Sequence, residues 1–278
     1  MVWMSARAEA EKPYVLIVGE GIHDVAAVVR ILKLGEFKEL RNFRELPKFF
    51  QDMVPKKYPY PDDSLRHIVP HPSFLESSEG YVAVHNAGGI NKIADGLFQL
   101  IGARRTPYPC AVALLVDMDK KSRSQRTKEI QEQLADYCKE TEIDGIEVNS
   151  FKDGHIRLDE VEIPSFLYLF PDCCQQGTLE KLLLDGADRS YPKLRMAADN
   201  YISAVREISG EEEYPFSNFD GDKATVGVMV NALKPGRPNQ ASIFDDKWFT
   251  NDSLRALKLH KQFADFLSTV LNTFQPHS

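Results

Sequence analysis

The chain has 278 residues, 43% hydrophobic and 27% charged, which excludes a disordered or collagen-like polymer. Its 34 basic residues stand against 41 acidic ones, a formal charge of −7. That excludes a protein that coats nucleic acid by charge alone, but not an enzyme with a local basic patch and a metal ion.

Residues 1–12 lack the apolar stretch of a secretory signal and read as a flexible tail. Residues 14–18 (YVLIV) predict a strand that ends in Gly19-Glu20-Gly21. The spacing of Val25, Val28, Val29 and Leu32 predicts a helix directly after it. Residues 36–80 hold the proline-rich stretch Pro55-Lys-Lys-Tyr58-Pro-Tyr60-Pro61. A structureless loop that long is uncommon unless functional, so the segment reads as an insertion near the site, a lid. A second strand is predicted at 81–85, followed by the turn Asn86-Ala87-Gly88-Gly89 and a helix through Ile90, Ile93, Leu97 and Ile101. A third, at 110–116, runs into Asp117-Met118-Asp119 and then a polar helix over 122–139. Residues 145–162 read as a short strand and loop. The fourth strand, 163–170, ends at Pro171-Asp172, with a helix around 178–184. Helices are predicted at 192–208, 222–233 and 253–271.

Alternating strands and helices imply an α/β fold, a central parallel sheet flanked by helices over residues 13–184. Residues 185–278 form a mainly helical extension packed on it. No apolar run reaches the roughly eighteen residues of a membrane span. Cys110, Cys138, Cys173 and Cys174 form no CxxC pair. These features imply reduced thiols in a cytoplasmic protein with no membrane partner.

In a parallel sheet the active site lies beyond the carboxyl ends of the strands. Glu20 follows the first strand, and Asp117 and Asp119 follow the third. An extended strand end would point Asp117 and Asp119 to one side. Three carboxylates gathered there repel one another unless a cation joins them, and hard oxygen ligands suit Mg²⁺ or Mn²⁺. The competing reading is that Asp and Glu simply favour loops and helix starts.

Glu20 followed by Asp117-x-Asp119, each after an apolar strand, resembles the Toprim domain of primases, topoisomerases and OLD-type nucleases. The resemblance covers about residues 13–184, and the glycine turn at 86–89 agrees with it. It implies a Toprim/Rossmann-like sheet and a divalent-metal nuclease. The OLD-type pattern implies further roles. Asp24, four residues after Glu20, and Glu180, closing Gly177-Thr178-Leu179-Glu180, would join Glu20, Asp117 and Asp119 as metal ligands. Lys223 would face the developing phosphate charge, with Glu20, Asp117 and Asp119 as its catalytic companions.

Lys120, Lys121, Arg123, Arg126 and Lys128 follow Asp119 closely and could grip a phosphate backbone, although a charge run on a helix is usually a solvated face. Arg104 and Arg105 would extend that patch. Gly88 and Gly89 suit a close phosphate approach. Tyr58 and Tyr60 could stack on bases, and His23 stands beside the site. No Walker-type Gly-x-x-x-x-Gly-Lys-Ser/Thr occurs, so any ATPase would be a partner protein. The expected activity is phosphodiester hydrolysis on DNA or RNA. The alternative is a non-catalytic module that binds nucleotide or nucleic acid within a larger defence or repair complex.

Overall fold

A computed structural model describes residues 12–54, 71–102, 108–140, 148–152, 154–158, 161–213 and 219–275. The first half runs β1 (Tyr14–Gly19), α1 (Ile22–Leu34), β2 (Lys38–Leu40), α2 (Lys48–Gln51), β3 (Ser73–Glu76), β4 (Tyr81–Asn86), α3 (Ile93–Gly102), β5 (Ala111–Asp117) and α4 (Arg123–Glu140). The second half runs β6 (Val148–Lys152), β7 (His155–Leu158), β8 (Val161–Phe170), α5 (Glu180–Ser190), α6 (Pro192–Glu213), α7 (Asp220–Leu233), α8 (Asn239–Asp245), α9 (Asn251–Ala256) and α10 (Lys258–Leu271).

The fold is α/β, as the strand–helix alternation requires. Its four expected strands form the parallel centre of the sheet, β4-β1-β5-β8. Every residue of β1 is buried because helices cover both faces. Val15 and Ile17 enter one core with α1, α5, α7 and α10. Leu16 and Val18 enter the other with α3 and α4, the period-two alternation of a strand.

The sheet is wider than the sequence reading allows. β3 and β2 add antiparallel beside β4, and β7 and β6 add antiparallel beside β8, making eight strands among the described residues. The first pair comes from the segment expected as a lid. Phe49 and Phe50, from the same segment, pack on Tyr14 at the start of β1. That is the opposite end of the strands from Glu20, so this part of the segment is a sheet extension and not a lid. Tyr58 and Tyr60, Arg104 and Arg105, and the tail up to residue 11 lie outside the described residues. Lys12 is described; its Nζ donates to Glu76 Oε1 at 2.8 Å and to Ser77 O at 3.0 Å.

The C-terminal helices share the core of β1 and α1, through Val226, Met229, Ile243 and Phe263. The helix expected over 253–271 is two, because the chain is extended at Leu257 (φ −92°, ψ 130°). α8, too short to announce itself by periodicity, packs on α1. No helix among the described residues is long and apolar enough to cross a membrane.

Gly186 marks the tightest approach between helix and chain. A Cβ there would lie 1.9 Å from the Trp248 carbonyl oxygen, and Trp248 is fully buried. Gly186→Ala is expected to cost about 1–3 kcal/mol by overpacking. The checking measurement is a denaturant midpoint that falls while the m-value holds.

Candidate metal and phosphate site

The candidate site forms at the carboxyl edge of the parallel strands. Parallel pairing sets Gly19 opposite both Asn86 and Leu115, and Asp117 opposite Phe170. Glu20 therefore emerges beside the end of β5, its own N–H donating to Leu115 O at 3.0 Å. Its carboxylate Oε2 accepts from the Asp117 N–H at 3.3 Å. Asp117 Oδ1 in turn accepts from the Leu179 N–H at 2.9 Å, which ties β5 to the start of α5. Glu180 is the first residue of that helix.

Asp24 arrives from the first turn of α1. Its Oδ2 accepts from the Gly21 N–H at 2.7 Å, so it caps the helix as well as facing the site. Gly19 permits this turn: a Cβ there would come within 2.7 Å of the Asp24 Cβ. Glu20, Asp24, Asp117 and Glu180 thus line one cavity of about 350 Å³, with His23 and Lys223 on its wall.

The electrostatics follow from this crowding. Burial, followed by the charges of Glu20 and Glu180, raises Asp24 well above the usual carboxyl range despite the Gly21 N–H. Burial, then Asp24, Glu180 and Glu20, does the same to Asp117. Burial also raises Glu20. Burial works against Glu180 too, but the His23, Thr178 and backbone contacts and Lys223 outweigh it and leave this carboxyl lowered. His23 Nδ1 stands 3.5 Å from Glu180 Oε1, while Glu180 Oε2 is buried without a hydrogen-bond partner. Burial opposes the charge of Lys223, yet Glu180, Asp117, Asp119 and Glu20 together raise it and keep it protonated.

Asp119 departs from the expectation. The strand stops at Asp117, and Asp119 has φ 51°. Its backbone makes an isolated bridge with Gly177, whose φ of 149° favours glycine. Its carboxylate accepts from Arg126 Nη2 at 2.6 Å and does not line the cavity. It is close enough to raise Glu20 and Lys223 electrostatically.

The basic run is also rearranged. Arg126 is buried between Asp119 and Glu129, so it braces Asp119 rather than offering a surface grip. Lys121 pairs with Glu129 at 2.7 Å, and Lys128 with Glu132 at 3.5 Å. Lys120 and Arg123 are exposed. Gly88 and Gly89, at φ 81° and 128°, have open space where a Cβ would project. The Gly89 N–H donates to Glu20 O at 2.8 Å, so this turn adjoins the site through its backbone.

Val226 of α7 and Asn239 of α8 also line the cavity. Neither is marked by local sequence. Among the described residues, no three Asp, Glu, His or Cys side chains are already gathered as a metal-ligand set. Glu20, Asp24 and Asp117 instead accept backbone N–H groups, as given above. The donor chemistry nevertheless fits a hard divalent cation: four carboxylates on one cavity, three of them pushed toward protonation chiefly by burial, and one buried oxygen without a partner.

His85, at the end of β4, supplies a separate pH response. Burial, with His71 nearby, lowers it from 6.5 to about 4, and its Nδ1 is buried without a partner. A neutral folded histidine favours the fold above the unfolded value, and that stability is lost as pH falls from 6.5 toward 4. The full effect is about 3 kcal/mol. Asp24 and Asp117, with raised carboxyls, contribute with the opposite sign. Comparing wild type with His85→Leu isolates the histidine: the variant should lose less stability across that window, read by chemical denaturation at each pH.

A model of a family described as "Protein of unknown function (DUF3226)" matches residues 13–272. No curated protein matches the chain. The crystal structure of hypothetical protein PH0156 from Pyrococcus horikoshii OT3 is similar over 95% of this chain and 100% of that chain. Its TM-score is 0.52 at 16% sequence identity, a likeness of fold alone.

Proposed function

The chain belongs to the DUF3226 family, and we propose that it is a divalent-metal-dependent phosphodiesterase, a nuclease of Toprim-like build acting on DNA or RNA. The observation that carries this reading is the convergence of Glu20, Asp24, Asp117 and Glu180 on one cavity beside Lys223. Those four carboxylates would hold Mg²⁺ or Mn²⁺. A divalent ion bound there would supply an activated water and offset charge on the phosphate.

The chain's own residues do the rest. Lys223, held protonated by the cluster, offsets charge on the phosphoryl oxygens. Asp119, clamped by Arg126, acts on Glu20 and Lys223 through its field rather than as a ligand. Lys120 and Arg123, with Lys121 and the turn at Gly88 and Gly89, form the side from which a phosphate backbone approaches. A cytoplasmic setting belongs to this reading, and Cys110, Cys173 and Cys174 are free thiols.

The test is incubation of purified protein with single- and double-stranded DNA and RNA, with Mn²⁺ or with chelator. Cleavage is expected with metal only and is expected to disappear in Glu20→Gln. Equal cleavage by that variant would overturn the reading.

A second reading, a non-catalytic nucleotide- or nucleic-acid-binding subunit of a larger complex, is favoured by one observation. Asp119, Lys121, Arg126 and Lys128 are engaged in ion pairs within the chain, which thins the substrate grip. Calorimetry that shows nucleotide or polymer binding without turnover would support it over the nuclease. An ATPase partner would belong to the same reading.

A further inference from the structure

α6 spans 22 residues and is the longest helix among the described residues. Ala198 and Ile202 are buried on its inner side. Beside that seam, Ala197, Tyr201, Ala204 and Ile208 follow at spacings of four, three and four residues. Such spacing lays side chains along one stripe, as in a coiled-coil seam. All four are exposed, Tyr201 by 57% and Ile208 by 84%, and Met196 at 62% borders them. Single exposed apolar residues are ordinary, but an aligned stripe marks an interaction surface.

The charges of α6 supply a second, independent observation. Its first turn has no acidic residue and its last turn no basic one. Lys193 stands exposed near the start and Glu207 exposed toward the end. A solitary helix favours the reverse, with acids at its amino end and bases at its carboxyl end. α1 obeys that rule, with Asp24 in its first turn and Lys33 in its last. The inverted pattern of α6 is corrected when an antiparallel copy brings a basic start beside an acidic end. The same arrangement opposes the two helix dipoles.

We propose that α6 pairs antiparallel with α6 of a second copy of this chain about a two-fold axis. Tyr201 meets the partner's Ala204, and Ala197 meets the partner's Ile208, each contact occurring twice by symmetry. The two alanines let the helices approach closely around the larger side chains. A helix of this length is about 33 Å long. Its stripe is smaller than the roughly 800 Å² per partner of standard stable interfaces, so the dimer forms in the micromolar range. α6 packs along α7, and Arg206 lies against Gly221, two residues from Lys223. The pairing therefore lies one helix away from the candidate site without using its residues.

Sedimentation equilibrium on the full chain, from low to high micromolar, tests this. A monomer–dimer equilibrium is expected, weakened by salt. Tyr201→Glu with Ile208→Glu should raise the dissociation constant at least about tenfold while leaving the thermal melt unchanged, since both side chains are exposed. Lys193→Glu should weaken pairing less. A monomer at every concentration overturns the proposal, as does a dimer indifferent to the double substitution. A dimer sensitive to Tyr201 and Ile208 but indifferent to both salt and Lys193→Glu overturns the antiparallel arrangement.

Discussion

Asp117→Asn is expected to cut metal-dependent phosphodiester cleavage at least about 100-fold and, in the metal-free protein, to raise the melting temperature. The two effects have one cause. Asp117 is held among Asp24, Glu180 and Glu20, and burial, then these charges, raise its carboxyl well above its ordinary value of 3.8. A raised carboxyl means that its charged form disfavours the fold. That penalty is full above the raised folded value and disappears as pH falls toward 3.8. Asparagine is neutral at every pH and its side-chain oxygen can still accept from the Leu179 N–H. In a chain of this size each 1 kcal/mol of stability gained corresponds to a rise of about 2–4 °C. Calorimetric melting and a cleavage assay on the same sample check the pair of effects. A variant that melts lower and cleaves as well as wild type would sink the placement of Asp117 in the site.

Mn²⁺ is expected to raise the melting temperature of the wild-type chain, and chelator to reverse the rise. An ion that binds only the folded state stabilises it by about 2.7 kcal/mol at one hundred times its dissociation constant. The increase should far exceed that of Asp117→Asn, because the ion replaces repulsion among four carboxylates with attraction. Asp24→Asn keeps an oxygen for the Gly21 N–H, and Glu180→Gln keeps one beside His23. Each should therefore fold, yet each should lose more than half of the Mn²⁺-induced shift. The readout does not depend on turnover and so separates metal binding from catalysis. Equal shifts in wild type and both variants would place the metal elsewhere.

Much of this site is legible from local patterns. The YVLIV run, ending in Gly19-Glu20-Gly21, and the 110–116 run, ending in Asp117, are strands by composition alone. Helices between them make parallel pairing the favoured solution, and parallel pairing puts both strand ends on one edge. Asp24 is readable as a first-turn residue, and Glu180 as the start of a helix. The convergence of four carboxylates is thus a consequence of strand direction and helix phase.

The fate of each charge is a different matter. Asp119 turns away because Gly177, far along the chain, bridges to its backbone and Arg126 takes its carboxylate. The run from Lys120 to Lys128 reads as one basic face, yet Arg126 is buried and Lys121 faces Glu129. The strands β2 and β3 lay hidden in a proline-rich segment, because edge pairing depends on a neighbouring strand and leaves little periodic trace. Asn239 and Val226 reach the cavity only because the C-terminal helices pack against α1 and α5. Periodicity and turn residues act over a few positions, so they establish the α/β class, the four central strands and the acidic edge. Which carboxylate faces the cavity, and which is answered by an arginine, depends on groups brought together by packing, and residue spacing carries no record of those distances.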